Sequence, residues 1–261
     1  MEKLSHHVDA ALPEPMTRRL VWTDGQCSQH GPSRILIHAQ HSQWQCPTCF
    51  EVELEAKARR EWVDERIAHL QAHTHIPAKY REQRFIASTE KQKAVRSLVM
   101  AFRDSIVQKN DWAALILTGD NGTGKTLLAC EFARTYILKH LRSVRYTTTH
   151  GMIADIQASY SQPDKSEESE IARYAQYDLL ILDEVDVKRD KPNAQLLLSE
   201  VIGRRYANGK PVIVISNQGF DLLEAFLGKR VHDRLHENAV ICNFDWPSYR
   251  RDPSITRPLG N

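Results

Sequence analysis

The chain has 261 residues, enough for one substantial core and a smaller module, since single domains run to roughly 100–200 residues. With 41% hydrophobic and 26% charged residues, its composition is that of a folded globular protein and excludes a disordered one. A net charge of +2 selects no nucleic-acid partner by itself, and without a run of about 18 apolar residues or a signal-like start a cytoplasmic, non-membrane protein is expected.

Residues 1–26 have little periodicity and read as a partly ordered arm. Cys27-x-x-His30 follows, and after 15 residues comes Cys46-x-x-Cys49. Two knuckles of this spacing suit a closed tetrahedral Cys₃His shell, so structural Zn²⁺ is expected on these four residues, with His38 and His41 as alternatives to His30. So short a segment has little core, and metal binding would supply its folding free energy. Cys130 and Cys242 lie in apolar surroundings and read as buried thiols, because a cytosolic chain gives little reason to expect disulfides.

Val52, Ala56, Val63, Ile67 and Leu70 recur near helical spacing across residues 51–72, which predicts an amphipathic helix. Pro77 interrupts the pattern. A second helix is predicted from about Ser88 to Gln108, with Val95, Leu98, Val99, Phe102 and Ile106 on one face. From Trp112 onward, apolar runs (AALILTG, SVRYTTT, YDLLILDE, PVIVISN and AVICNF) alternate with helical segments, and this predicts an α/β fold with a parallel sheet covered on both faces. Residues 161–170 read as a polar surface loop.

The stretch Gly119-Asp120-Asn121-Gly122-Thr123-Gly124-Lys125-Thr126 fits G-x-x-x-x-G-K-[ST] between a predicted strand and a predicted helix that continues with Leu127. Glycines let several backbone N–H groups wrap a phosphate, and the following helix adds its positive end. Lys125 is the expected bridge between β- and γ-phosphates, and the Thr126 hydroxyl an expected Mg²⁺ ligand. The run Leu179–Leu182 ends in Asp183 and Glu184, an unusual finish for a buried strand. Asp183 is expected to hold Mg²⁺ directly or through water, and Glu184 to activate the attacking water. At the end of PVIVISN, Asn217 is a candidate contact to the γ-phosphate, although an Asn after a strand is also a common turn former.

Together these residues resemble the DnaC/IstB family of AAA+ ATPases. The resemblance covers roughly residues 76–252, through IPAKYREQRF, IGRRYANGKPVIVISN and LGKRVHDRLHENAVICNFDWPSYR as well as the phosphate loop. It implies a five-stranded parallel sheet in a P-loop AAA+ domain over 76–261, preceded by a zinc-binding, helicase-interacting module over 1–75. It further implies ATP bound between subunits of a helical or ring-like oligomer. Arg234 matches the family's arginine finger, Arg230 is a second candidate one turn earlier, and Arg250 matches the second sensor arginine. TTTHGMIADIQASY matches a helical insertion lining single-stranded DNA, where His150 and Tyr160 are candidate contacts and Tyr160 is equally a core residue. The function implied is loading of a DnaB-like replicative helicase. An IstB-like transposition helper and a DNA-binding adaptor with a vestigial ATPase are the alternatives.

Overall fold

The computed structural model describes residues 20–38, 44–162, 164–185 and 192–249. It divides into two compact units, Met1–Glu65 and Arg66–Asn261. The division falls ten residues before the boundary expected at 75–76, because Leu70 and Ile76 are buried in the core of the larger unit and the Thr74 carbonyl accepts a hydrogen bond from the Tyr146 N–H.

In the smaller unit, β1 (Leu20–Cys27) and β2 (Gly31–His38) form an antiparallel hairpin in which Cys27 faces Gly31. The described end of the expected arm is therefore a strand. Its backbone pairing with β2 organises it, since Val21 and Trp22 stay exposed. Helix α1 (Pro47–Ala72) begins earlier than expected, with Pro47 in its first turn, where a missing N–H leaves no hydrogen bond unmade. Its apolar stripe is not buried throughout: Phe50, Val52, Leu54 and Trp62 are exposed, and among its described residues only Leu70 is fully buried.

In the larger unit α2 (Glu90–Lys109) lies close to the predicted helix. Thr89 and Gln92 close a capping box at its start, and Asn110 in the left-handed region ends it. The sheet follows with β3 (Ala114–Gly119), β4 (Val144–Thr148), β5 (Leu179–Asp183), β6 (Val212–Ile215) and β7 (Ala239–Phe244), all parallel in the order β4-β5-β6-β3-β7.

Alternate strand residues enter two separate cores. Ala114, Ile116, Leu180, Leu182, Val212 and Val214 face α4 (Thr149–Ala158), α5 (Glu167–Gln176), α6 (Pro192–Ala207), α7 (Glu224–Leu227) and α8 (Lys229–His236). Leu115, Leu117, Leu179, Ile181, Ile213 and Ile215 face α2 and α3 (Lys125–His140). Burial on both faces explains why these strands read as continuous apolar runs, each buried Val, Leu or Ile contributing roughly 1.5–3 kcal/mol.

Part of the loop expected over 161–170 is the first turn of α5. Ser166 caps it, and Glu167, Glu168 and Glu170 place negative charge at its positive end. The far end of α5 is tied down by Arg205, which is fully buried. Its Nη1 donates to the carbonyls of Tyr174 at 2.9 Å and Tyr177 at 2.9 Å, and its Nη2 to that of Pro211 at 2.6 Å. Among the described residues no helix is long and apolar enough to cross a membrane.

Candidate functional site

The glycine loop occupies the turn from β3 into α3. Gly119 and Gly124 have φ of 126° and 99°, a region that side chains with a Cβ rarely adopt. Neither site has room for one: a Cβ on Gly119 would lie 2.4 Å from the Phe244 carbonyl oxygen, and one on Gly124 2.7 Å from the Phe85 ring. Lys125 is buried at the start of α3 and curls back, its Nζ donating to the carbonyls of Gly119 at 2.5 Å and Asp120 at 2.8 Å. Thr123 Oγ1 also donates to the Asp120 carbonyl, at 2.8 Å. Asp120 and Asn121 are exposed at the tip, whereas Leu127 packs partly into the core. From beyond β7, Trp246 Nε1 donates to the Thr123 carbonyl at 2.9 Å and the Tyr249 N–H to the Gly122 carbonyl at 3.0 Å.

Asp183 ends β5 and is buried beside this loop. Its Oδ2 accepts from Thr126 Oγ1 at 2.8 Å and from the Tyr146 hydroxyl at 2.7 Å, while its Oδ1 accepts from the Glu184 N–H at 2.8 Å. Burial, reinforced by the negative Asp183, holds the Tyr146 hydroxyl far above its ordinary pKa, so it stays a proton donor. Glu184 is exposed with φ of 54°, a left-handed conformation that costs an ordinary residue roughly 1–2 kcal/mol. Such strain, adjacent to a buried acid, is characteristic of functional positions.

β6 lies between β3 and β5. The Ser216 N–H donates to the Leu117 carbonyl at 3.0 Å, and the Val185 N–H to the Ile215 carbonyl at 3.0 Å. These bonds set the end of β6 level with the loop strand and the acid strand. The next residue, the half-buried Asn217, therefore stands at the same sheet edge. The structure thus brings Gly119–Thr126, Asp183, Glu184 and Asn217 together.

Two groups at the site escaped the sequence reading. Tyr146 sits in a strand, where an aromatic residue reads as core. Glu131 is a buried acid in the apolar run of α3, and that was its signal. Its carboxylate accepts from the Phe85 N–H at 2.7 Å and from Arg96 Nη2 at 2.5 Å, and Arg134 donates to the carbonyls of Tyr80 and Gln83. Residues 80–85 are thereby fixed over α3, with the Phe85 ring against Gly124 and edge-on to Tyr249 at 6.4 Å.

The arginines lie elsewhere. The Arg234 carbonyl accepts from Trp112 Nε1 at 2.9 Å, and Trp112 precedes β3, whose far end carries the loop. Six residues of strand span roughly 20 Å, so Arg234 is not brought to its own chain's loop. Arg230 is exposed one turn earlier on α8. Arg250 lies outside the described residues. His150 is exposed in the first turn of α4, and Tyr160, at 61% exposure with its hydroxyl on Glu167, is not a core residue. Cys130 and Cys242 are buried, and burial pushes their thiols up to about 12 and about 11.

In the smaller unit, Cys27, His30, Cys46 and Cys49 converge, their ligand atoms all within 4.8 Å of one another. His30 Nδ1 is 3.6 Å from Cys27 Sγ, 3.6 Å from Cys46 Sγ and 3.4 Å from Cys49 Sγ, and Cys27 Sγ is 3.7 Å from Cys49 Sγ. A tetrahedron with metal–sulfur bonds of about 2.3 Å and a metal–nitrogen bond of about 2.0 Å has edges of about 3.5 Å for S···N and about 3.8 Å for S···S. The four residues fit such a metal. The backbone N–H groups of Gln29 and His30 pull the Cys27 thiol down to about 6, which favours its thiolate, while the contact with Cys27 pushes the Cys49 thiol up to about 11. Of the alternative ligands, His41 and the His38 side chain lie outside the described residues.

The sheet order, with a glycine loop after β3 and an acidic pair after β5, is that of a P-loop AAA+ fold, and the sequence pattern of the IstB-like ATP binding proteins matches residues 39–255. The chain belongs to that family. Over 142 residues, 54% of this chain and 56% of the relative, it is 31% identical to YdaV of Escherichia coli strain K12. It is 27% identical to the replicative helicase loader DnaC of the same strain over 139 residues, 53% of this chain and 56% of DnaC. The chain thus spans about half the length of the curated relatives it matches. A crystal structure of the DnaC helicase loader shares its fold, with a TM-score of 0.57 at 17% identity over 64% of this chain and 99% of that one.

Proposed function

We propose that the chain is a cytoplasmic ATPase that loads a DnaB-like hexameric helicase onto single-stranded DNA and uses ATP hydrolysis to time its own release. The carrying observation is the contact between Thr126 at the loop and Asp183 at the end of β5, at 2.8 Å beside Lys125, in a chain similar to DnaC. In this reading the loop from Gly119 to Leu127 cradles the triphosphate, Lys125 exchanges its carbonyl partners for β- and γ-phosphate oxygens, and Thr126 and Asp183 hold Mg²⁺. The ion supplies charge neutralisation at those oxygens. Glu184 orients and deprotonates the attacking water, and Asn217 contacts the γ-phosphate. Arg234, with Arg230 as second candidate, supplies positive charge to the site of a neighbouring copy, and Arg250 serves its own site.

That arrangement makes hydrolysis depend on self-association into a helical or ring-like oligomer, because an arginine acting in trans is worth roughly 10³–10⁵ in rate. Structural Zn²⁺ on Cys27, His30, Cys46 and Cys49 holds the hairpin to the start of α1, and this module, with the exposed Phe50, Val52, Leu54 and Trp62, docks on the helicase.

Size-exclusion chromatography with light scattering, on the full chain mixed with its host's replicative helicase, tests the proposal. An ATP-dependent complex is expected, and its absence at micromolar concentration defeats the loader reading. The family match favours one second reading, a transposition helper that wraps duplex DNA. Co-purification with a transposase instead of a helicase would select it.

A further inference from the structure

The guanidinium of Arg234 lies over the ring of Tyr206, 5.3 Å from its centroid. Tyr206 belongs to α6 and is itself fixed on two sides. Its ring meets Trp112 edge-on at 5.4 Å, and its hydroxyl donates to Glu237 Oε2 at 2.7 Å. One turn earlier on α6 is Gly203, where a Cβ would fall 2.7 Å from Arg234 Nη1. The arginine therefore occupies a slot with an aromatic wall and a floor that has no side chain.

This slot differs from an ion pair in what it leaves available. A cation held over a ring is attracted without spending its N–H donors on a hydrogen-bond acceptor, so those donors stay available. Among the described residues no carboxylate forms a salt bridge with Arg234, although Asp233 and Glu237 flank it in sequence. An arginine stored out of action would be expected to carry such a partner. One held over a ring keeps its donors for an incoming phosphate, and the ring removes much of the rotamer freedom that would otherwise be lost on contact.

We propose that Tyr206, with Gly203, is a positioning residue that holds Arg234 ready for the nucleotide phosphates of a second copy of this chain. The proposal rests on the reading of Arg234 as a charge supplied in trans. Tyr206 acts only through Arg234, and its effect is confined to the copy that donates the arginine.

Mixing complementary full-length chains tests both parts separately. A Lys125→Ala chain has a disabled loop and an intact Arg234, and an Arg234→Ala chain has the reverse. In equal mixture with MgATP and single-stranded DNA, the pair should recover phosphate release that neither shows alone. Adding Gly203→Ala to the Lys125→Ala donor displaces the guanidinium while leaving the ring, and alanine favours the helix. Recovery should then fall about five- to tenfold. A donor carrying Tyr206→Leu should show the same loss, and one carrying Tyr206→Phe, which keeps the ring face, should recover like the parent. Unchanged melting temperature and fluorescent-ATP binding of the Gly203→Ala single variant establish that its fold and its own loop are intact. Full recovery with the Gly203→Ala and Tyr206→Leu donors overturns the positioning role alone. Absence of recovery with the parent donor overturns the trans assignment of Arg234 and the positioning role with it.

Discussion

Thr126 and Asp183 stand 57 residues apart in sequence and share a hydrogen bond of 2.8 Å, and the Tyr146 hydroxyl reaches the same carboxylate oxygen at 2.7 Å. The tyrosine therefore fixes the carboxylate from the side away from the loop. Tyr146→Phe keeps the packing and removes one net hydrogen bond, worth about 1 kcal/mol. The Mg²⁺ concentration that half-saturates binding of a fluorescent ATP should rise about three- to tenfold, with little change in affinity measured in EDTA. An equal loss under both conditions would assign Tyr146 to the fold alone.

If Glu184 acts on the attacking water, as proposed, its carboxylate is not needed to grip the nucleotide. Glu184→Gln should bind ATP within about threefold of the parent chain and release phosphate roughly 10²–10⁴ times more slowly in single turnover. Wild-type turnover in this variant would remove Glu184 from the chemistry.

The Cys27, His30, Cys46 and Cys49 cluster predicts one zinc per chain by elemental analysis of protein purified without added metal. Cys46→Ser should abolish retention and expose the hairpin to protease, since the small unit has few apolar side chains to hold it. The thermal transition of the larger unit should stay within a few degrees of its parent value, about the shift produced by 1 kcal/mol in a domain of that size. Metal-free protein with a protease-resistant hairpin would contradict this assignment.

Asp178 carries an acid-stability expectation. Burial would raise its pKa, but the Lys210 ammonium at 2.9 Å and the backbone and hydroxyl donors of Ser143 outweigh it and hold the carboxyl below its ordinary value. A carboxylate depressed in the folded state contributes stability above its unfolded pKa of about 3.9, and the contribution is lost as pH falls through the folded value. Lys210→Met should therefore lower stability at neutral pH and move the acid-unfolding midpoint upward. A circular-dichroism titration with an unmoved midpoint would count against it.

The strands β3, β5 and β6 were legible because burial on both faces writes unbroken apolar runs, and the loop and acidic pair because phosphate and metal chemistry demand particular residue types at strand ends. The β1–β2 hairpin was not legible. Its strands are held by backbone pairing and a cysteine cluster, and exposed Val21 and Trp22 produce no clear alternation. The apolar spacing of α1 is present in sequence, but spacing does not reveal whether a stripe meets a core or a partner, and residues 50–62 meet no core. Ser166 and three nearby glutamates mark the start of α5, yet their polarity also suits a loop. Tyr146 on Asp183 and Tyr206 under Arg234 depend on pairings between distant elements, which local pattern does not encode.

Trp246 and Tyr249 tether two carbonyls of the glycine loop from more than 120 positions downstream. A shortened product ending at β7 would retain every residue of the lysine motif and still lose both tethers. Intact signature residues are thus an incomplete guide to competence in this chain, because the shape of the loop also depends on residues 246–249.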